Sequence, residues 1–124
     1  MEPIAKILIV DDDPDTRLLI REILGRDGYD IFEAEDGNDG LAKFRAERPD
    51  VVIADIVMPG KDGLQMIIDL RHEFPEAKII AISGEGQDGD QLRKACSLGA
   101  RRALAKPFDI QGLLKLVKET LAHP

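Results

Sequence analysis

The sequence of 124 residues has no tryptophan, a single cysteine and no long apolar run. One cysteine, Cys96, cannot form an intrachain disulfide, and the amino terminus lacks the pattern of a signal peptide. The longest apolar stretches, such as VVIA at 51–54 and IIAI at 79–82, are far too short to cross a bilayer. We therefore expect a protein of a reducing compartment, most simply the cytoplasm, with no membrane attachment.

Basic residues are fewer than acidic ones. The chain carries 17 Lys and Arg against 24 Asp and Glu, for a formal net charge of −7. Binding to nucleic acid requires clustered cations that contact phosphates. The nearest such group is Arg101 and Arg102 with Lys106, and adjacent arginines are usually a solvated edge. We expect no direct contact with nucleic acid.

The sequence also lacks the residues expected for a histidine-based site and for a nucleotide-binding loop. The two histidines, His72 and His123, lie in a predicted helix and near the carboxyl end, which argues against a histidine-ligated metal or a histidine-based triad. The phosphate-cradling pattern G-x-x-x-x-G-K-[ST] does not occur, so the sequence gives no support for nucleotide binding.

A regular alternation of apolar runs and helix-period segments fills the chain. The predicted strands are 6–10, 29–34, 50–54, 77–83 and 102–105. The predicted helices are 14–26, 39–48, 63–74, 90–99 and 109–122. Five such units in one domain spanning 1–124 indicate an α/β fold with an open, doubly wound parallel sheet rather than an eight-fold barrel. We expect no output domain within these residues.

The first predicted helix has both a start signal and an apolar face. Asp13 precedes Pro14, which suits the first helical position, so Asp13 is the expected N-cap. An apolar stripe at helical spacing then predicts the buried face, formed by Leu19, Ile20, Ile23 and Leu24. In the fourth predicted helix the same spacing groups Leu92, Ala95 and Cys96.

Polar side chains follow four of the five predicted strands. Asp11 and Asp12 follow the first strand, Asp55 follows the third, Ser83 ends the fourth and Lys106 follows the fifth. Each alone could be a turn or surface residue, but ligands of open α/β sheets bind outside the carboxyl ends of the strands. We therefore expect all five side chains at one crevice.

The chemistry that this set supports is narrow. Clustered carboxylates repel one another unless a proton or a hard cation lies between them, and oxygen ligands suit Mg²⁺. A carboxylate beside Mg²⁺ can also attack phosphorus and form an aspartyl phosphate. A lysine and a hydroxyl would then stabilise the phosphoryl oxygens.

Four sequence blocks carry a resemblance to a known family: ILIVDDD at the first strand, VVIADIVMPGKDG around Asp55, IIAISG around Ser83, and AKPF after the fifth strand. Over essentially its whole length the chain resembles the receiver domain of two-component response regulators. The resemblance implies a flavodoxin-like (βα)5 fold with strand order 2-1-3-4-5.

The resemblance also implies the metal ligands. Asp12 would bind Mg²⁺ directly, with Mn²⁺ as a possible substitute, and Asp11 would act partly through water. Asp55 and the backbone carbonyl of Val57 would complete the protein ligands.

The remaining implied roles concern the phosphoryl group. Asp55 would accept it from a histidine kinase or a histidine phosphotransfer protein, Ser83 would donate a hydrogen bond to it, and Lys106 would pair with it. The Lys106–Pro107 bond is expected to be cis. The domain would catalyse its own phosphorylation and dephosphorylation, and would signal through the face of the fourth helix, fifth strand and fifth helix.

Two departures from the family pattern affect the expected function. Ala103 stands where many members carry an aromatic residue that swings inward, so an aromatic switch is not available at this position. Val57 and Glu85 occupy positions that tune phosphate lifetime. Because Val57 cannot position an attacking water, we expect slower phosphate loss than with asparagine there.

Two other readings stay open at the level of sequence. A Mg²⁺-dependent phosphohydrolase would also form an aspartyl phosphate, but such enzymes usually carry a second acid two residues later, and here the next acid is Asp62. A degenerate receiver used only for protein interaction is the other, although all five site residues are present.

Overall fold

The computed structural model describes residues 5–56, 63–84 and 90–122. Its strands are β1 (Lys6–Val10), β2 (Asp30–Ala34), β3 (Val51–Asp55), β4 (Ile79–Ser83) and β5 (Arg102–Ala105). Its helices are α1 (Pro14–Arg26), α2 (Gly37–Glu47), α3 (Gly63–Glu73), α4 (Asp90–Leu98) and α5 (Ile110–Ala122). The strands form one parallel sheet in the order β2-β1-β3-β4-β5, which confirms the predicted fold class and strand order.

The helices cover both faces of the sheet. Because successive side chains of a strand point to opposite faces, each strand feeds two separate cores. One core joins the sheet to α1 and α5, and it includes Ile9, Ile53 and Ile82. The other joins it to α2, α3 and α4, and it includes Val10, Ala54 and Ala81. The central strand β3 is buried throughout, whereas β2, predicted from its alternation to lie near an edge, is only partly buried.

Aspartates cap three of the helices. The side chain of Asp13 accepts hydrogen bonds from the backbone amide of Asp15 at 3.1 Å and from the hydroxyl of Thr16 at 2.8 Å, as expected of an N-cap. Asp36 caps α2 and Asp109 accepts from an amide in the first turn of α5. The cap at Asp36 explains why α2 begins two residues before its predicted start.

Several helical side chains lie on a different face from the one predicted. Leu19 is 51% exposed, although the apolar stripe of α1 had placed it in the core. Cys96 on α4 is also exposed, while Ala95 is fully buried. Helical spacing gives the width of an apolar stripe, but the packing against the sheet decides which edge of the stripe is covered.

Among the described residues, no helix combines the length and the apolar content needed to cross a membrane.

Candidate functional site

The strand register brings the predicted site residues to one edge of the sheet. Val10 of β1 lies beside Ala54 of β3, so the next residues, Asp11 and Asp55, are neighbours. Asp55 in turn pairs with Ile82, the residue before Ser83. The carboxyl ends of the strands thus carry the crevice expected of an open α/β sheet.

Three carboxylates form the centre of this crevice. Ligand oxygens of Asp11, Asp12 and Asp55 all lie within 4.8 Å of one another, which makes the group able to hold a metal ion. Asp11 is fully buried and Asp55 is 6% exposed, whereas Asp12 lies open to solvent. One ligand is therefore reached from solvent and two are set into the protein.

Lys106 links two of these carboxylates. Its Nζ atom lies 3.1 Å from Oδ2 of Asp55 and 3.2 Å from Oδ2 of Asp11. Partial burial lowers the pKa of the ammonium, but the hydrogen bond that it donates to Asp55 and the charges of Asp11 and Asp55 outweigh that effect and raise the pKa. Lys106 is therefore a firm cation in the site.

Burial disfavours the ionised form of the Asp11 carboxyl group. Burial is the main cause that raises its pKa, and the negative charge of Asp55 acts in the same direction. A hydrogen bond of 2.9 Å from the amide of Asp13 and the charge of Lys106 oppose the increase. Three carboxylates facing one ammonium leave an excess of negative charge, which favours a bound divalent cation.

Ser83, the last residue of β4, pairs with Ala105 of β5, the residue before Lys106. Its side chain is buried, and its backbone carbonyl accepts a hydrogen bond of 2.8 Å from the amide of Lys106. The Lys106–Pro107 bond is cis, as expected. Ala103, the position without an aromatic ring, pairs with Ala81 in the sheet. The predicted roles of Val57 and Glu85 lie outside the described residues.

Two residues that shape the site were missed by the sequence analysis. A Cβ atom added to Gly63, the first residue of α3, would lie 2.3 Å from the carbonyl oxygen of Asp55 and 2.4 Å from Cα of Ile56. Only glycine allows α3 to start this close to the backbone that carries Asp55. Arg17 donates from Nη1 to the carbonyl oxygen of Asp11 at 2.6 Å. The sequence offered one signal for Arg17. It lies four residues after the N-cap Asp13, in the first turn of α1.

Comparison with known proteins agrees with this geometry. The sequence model of the response regulator receiver domain matches residues 7–118. The chain belongs to the response regulator receiver domain family. It is therefore a phosphoacceptor domain of two-component signal transduction, and the phosphohydrolase reading is not favoured.

Relatives of this receiver domain match over nearly their whole lengths. Protein PilH of Pseudomonas aeruginosa is 39% identical over 120 residues, which cover 95% of this chain and 98% of PilH. Sporulation initiation phosphotransferase F of Bacillus subtilis is 35% identical, with 94% of this chain and 93% of the relative covered. The crystal structure of the receiver domain of NtrX from Brucella abortus superposes with a TM-score of 0.90 at 31% identity, covering 95% of this chain and 99% of that one.

Proposed function

We propose that Asp55 is the phosphoacceptor, and that the domain itself catalyses the Mg²⁺-dependent transfer of a phosphoryl group from a phosphohistidine to Asp55. The observation that carries this proposal is the position of the Asp55 carboxylate, which contacts Lys106 and lies within ligand distance of Asp11 and Asp12. Asp55 is also the one carboxylate of the three that belongs to a strand, as the last residue of the buried strand β3.

The donor set suits a hard divalent cation. All three side chains offer carboxylate oxygens, which Mg²⁺ prefers, and Mn²⁺ accepts the same ligands. Asp11, Asp12 and Asp55 would hold the ion together with the backbone carbonyl of Val57. When bound, the ion neutralises charge on the phosphoryl oxygens and on the cluster.

The chemical step needs little more than alignment. An oxygen of Asp55 attacks phosphorus, a P–O bond forms, and the P–N bond to the donor imidazole breaks. The nitrogen keeps the electron pair of that bond, and the ring leaves neutral because its second nitrogen carries a proton. Lys106 then pairs with a phosphoryl oxygen, and the Ser83 hydroxyl donates a hydrogen bond to another. In dephosphorylation, water attacks the phosphorus, the P–O bond to Asp55 breaks, and inorganic phosphate leaves while the Asp55 carboxylate is restored.

A groove beside the site supports docking of a histidine kinase or a histidine phosphotransfer protein. Its volume is about 440 Å³, and its lining includes Leu19, Lys106, Pro107 and Phe108. Lys106 lines the groove and also contacts Asp11 and Asp55. A partner bound in the groove would therefore bring its histidine close to Asp55. The exposed side chain of Leu19 offers the apolar contact that such a partner needs.

The output is assigned to the face formed by α4, β5 and α5. The hydrogen bond from the Lys106 amide to the Ser83 carbonyl ties the end of β5 to β4. A shift of Ser83 or Lys106 toward a phosphoryl group would therefore pull on β5 directly. With Ala103 in the middle of β5, the backbone has to carry this change.

Labelling by a small donor tests the assignment. Acetyl phosphate should label the wild type only with Mg²⁺ or Mn²⁺, and Asp55→Ala should abolish the label. Label retained in Asp55→Ala would contradict the assignment, and many turnovers of added phosphoesters per molecule would favour a phosphohydrolase.

The docking groove is tested by comparing two donors. Leu19→Glu should slow transfer from a phosphorylated histidine phosphotransfer protein and leave the rate with acetyl phosphate unchanged. Ile68→Glu, at an exposed residue of α3, is the matched control and should change neither rate. Equal slowing with both donors would place Leu19 in the chemistry or the fold instead of docking.

The lifetime of the phosphate is a separate proposal. Because the Val57 side chain cannot hold an attacking water, Val57→Asn should shorten the half-life of the phosphorylated protein. Decay measured after removal of excess donor checks this, and an equal or longer half-life in the variant would count against it.

A further inference from the structure

Asp11, the first of the two acidic residues after β1, is held by three hydrogen bonds through its amide, its carboxylate and its carbonyl. The amide of Asp11 donates to the carbonyl of Ala34 at 3.1 Å, which extends the pairing of β1 and β2 by one residue. The carboxylate of Asp11 accepts from the amide of Asp13 at 2.9 Å. The carbonyl of Asp11 accepts from Nη1 of Arg17 at 2.6 Å. Asp12 lies inside this frame with an exposed side chain.

Arg17 is itself held in place. Its side chain is only 18% exposed, and its Nε atom donates to Oε1 of Glu33 on β2 at 3.2 Å. The backbone carbonyl of Glu33 also accepts from Nζ of Lys43 at 2.7 Å. The planar guanidinium thus spans from β2 to the end of β1, with its direction set by two acceptors at once.

We propose that Arg17 is a positioning residue for the metal ion. By holding the Asp11 carbonyl, it sets the orientation of the Asp11–Asp12 peptide, and with it the direction in which the Asp12 carboxylate leaves the backbone. Without this hydrogen bond the peptide can rotate, and the carboxylates lose their shared geometry. This inference rests on the proposed metal site, and it assigns to that site a residue that does not touch the ion.

A purely structural ion pair would act differently, and Arg21 provides the comparison. Arg21 donates from the same helix to the other carboxylate oxygen of Glu33, yet within the described part of the chain it makes no hydrogen bond to Asp11. Removing either arginine takes one cation from Glu33. Removing Arg17 also releases the Asp11 carbonyl.

Calorimetric titration of the unphosphorylated protein with MgCl₂, paired with urea unfolding, tests the proposal. Arg17→Gln should raise the Kd for Mg²⁺ about 10-fold, the lower end of the effect of residues that orient metal ligands. Arg21→Gln should leave the Kd unchanged. Arg17→Lys keeps one donor and should recover part of the affinity. Glu33→Gln, which frees the Arg17 side chain to turn, should weaken Mg²⁺ binding by less than Arg17→Gln.

The outcomes separate cleanly. If Arg17→Gln and Arg21→Gln have the same Mg²⁺ affinity while the wild type binds, the positioning role is wrong and the metal site stands. If the wild type shows no binding, the metal site is wrong and the positioning role falls with it. Should Arg17→Gln be unfolded in urea-free buffer, Glu33→Gln decides, and a Kd equal to that of the wild type would overturn the proposal.

Discussion

Lys106 places its ammonium nitrogen 3.1 Å from Oδ2 of Asp55, and the same nitrogen lies 3.2 Å from Oδ2 of Asp11. One cation thus serves two buried carboxylates, and the protein carries an internal counter-ion at the position where the phosphoryl group is proposed to bind.

Lys106→Met removes the internal counter-ion. Because Asp11 is fully buried and loses a hydrogen-bond partner, the free energy of unfolding without Mg²⁺ should fall by roughly 1 to 3 kcal/mol. Addition of Mg²⁺ should raise the melting temperature of the variant more than that of the wild type, since the ion then replaces the ammonium. Thermal unfolding with and without Mg²⁺ measures both effects.

Lys118→Met is the control for that experiment. Lys118 is 65% exposed and pairs with Asp27 at 3.7 Å on the surface, so its removal should change little. An equal response of Lys106→Met and the wild type to Mg²⁺ would show that the lysine does not compensate the cluster.

Asp12 and Asp13 are adjacent but should give opposite results. Asp13 caps α1, and hydrogen bonds from the Thr16 hydroxyl and the Asp15 amide lower the pKa of its carboxyl group. Asp13→Ala should lower the melting temperature by roughly 3 to 5 °C and retain phosphorylation by acetyl phosphate. Asp12→Ala should abolish Mg²⁺-dependent phosphorylation. Loss of Mg²⁺ binding in Asp13→Ala, with the melting temperature intact, would mean that the two roles are assigned one residue out of place.

Gly63→Ala should damage the fold next to Asp55. The added Cβ would meet backbone atoms of Asp55 and Ile56, which cannot move aside as a flexible side chain can. We expect a loss of roughly 1 to 3 kcal/mol in the free energy of unfolding, together with slower phosphorylation. Urea unfolding and labelling by acetyl phosphate measure the two effects.

Gly25→Ala is the matched glycine substitution. Nothing lies within 4 Å of a Cβ atom at this position in α1, so the change should stabilise the protein by roughly 0.5 to 1 kcal/mol. If both alanine variants were equally stable, the close approach at Gly63 would not limit the packing.

The ion pair of Arg45 and Glu73 should make stability depend on pH. Two hydrogen bonds of 2.7 Å join the groups, and the Arg45 guanidinium lowers the pKa of Glu73 in the folded state. A lowered carboxyl pKa contributes stability above the unfolded pKa, and this contribution disappears as the pH falls through the folded value. The advantage of the wild type over Glu73→Gln should be full at neutral pH and should disappear as the pH falls from the unfolded pKa of the carboxyl group through its lowered folded pKa.

Urea unfolding across that pH range, at low and high salt, measures the Glu73 effect. Because the pair is on the surface, high salt should shrink the advantage. Glu47→Gln, at a residue whose ion pair with Lys6 spans 3.9 Å, should show a smaller difference at every pH. An advantage for wild type that grows on acidification would reverse the sign and refute the assignment to Glu73.

The order of elements and the identity of the crevice could be predicted from sequence because they follow from local signals. Short apolar runs lead directly into Asp11, Asp55 and Ser83, and parallel strands bring their carboxyl ends to one edge. The third apolar run covers 50–54, whereas β3 covers Val51–Asp55, so the strand starts and ends one residue later than the run. A strand extends as far as the neighbouring strand pairs with it, and Asp55 still pairs with Ile82. The sequence pattern does not show where this pairing ends.

The contacts that depend on packing direction could not be predicted. The apolar spacing of α1 gave no sign that Leu19 faces a groove, or that Arg17 reaches back to the Asp11 carbonyl. The close start of α3 at Gly63 likewise depends on the distance between two elements. The roles given to Val57 and Glu85 stay predictions.

The contact of Lys106 with Asp11 and Asp55 also bears on the stability of the protein when the magnesium concentration changes. A receiver that neutralises part of its own acidic cluster keeps its fold when magnesium is scarce. On the proposed mechanism, metal depletion then halts phosphoryl transfer without sending the protein to proteolysis. The pool of folded molecules stays ready, and signalling resumes as soon as the ion returns, with no need for new synthesis.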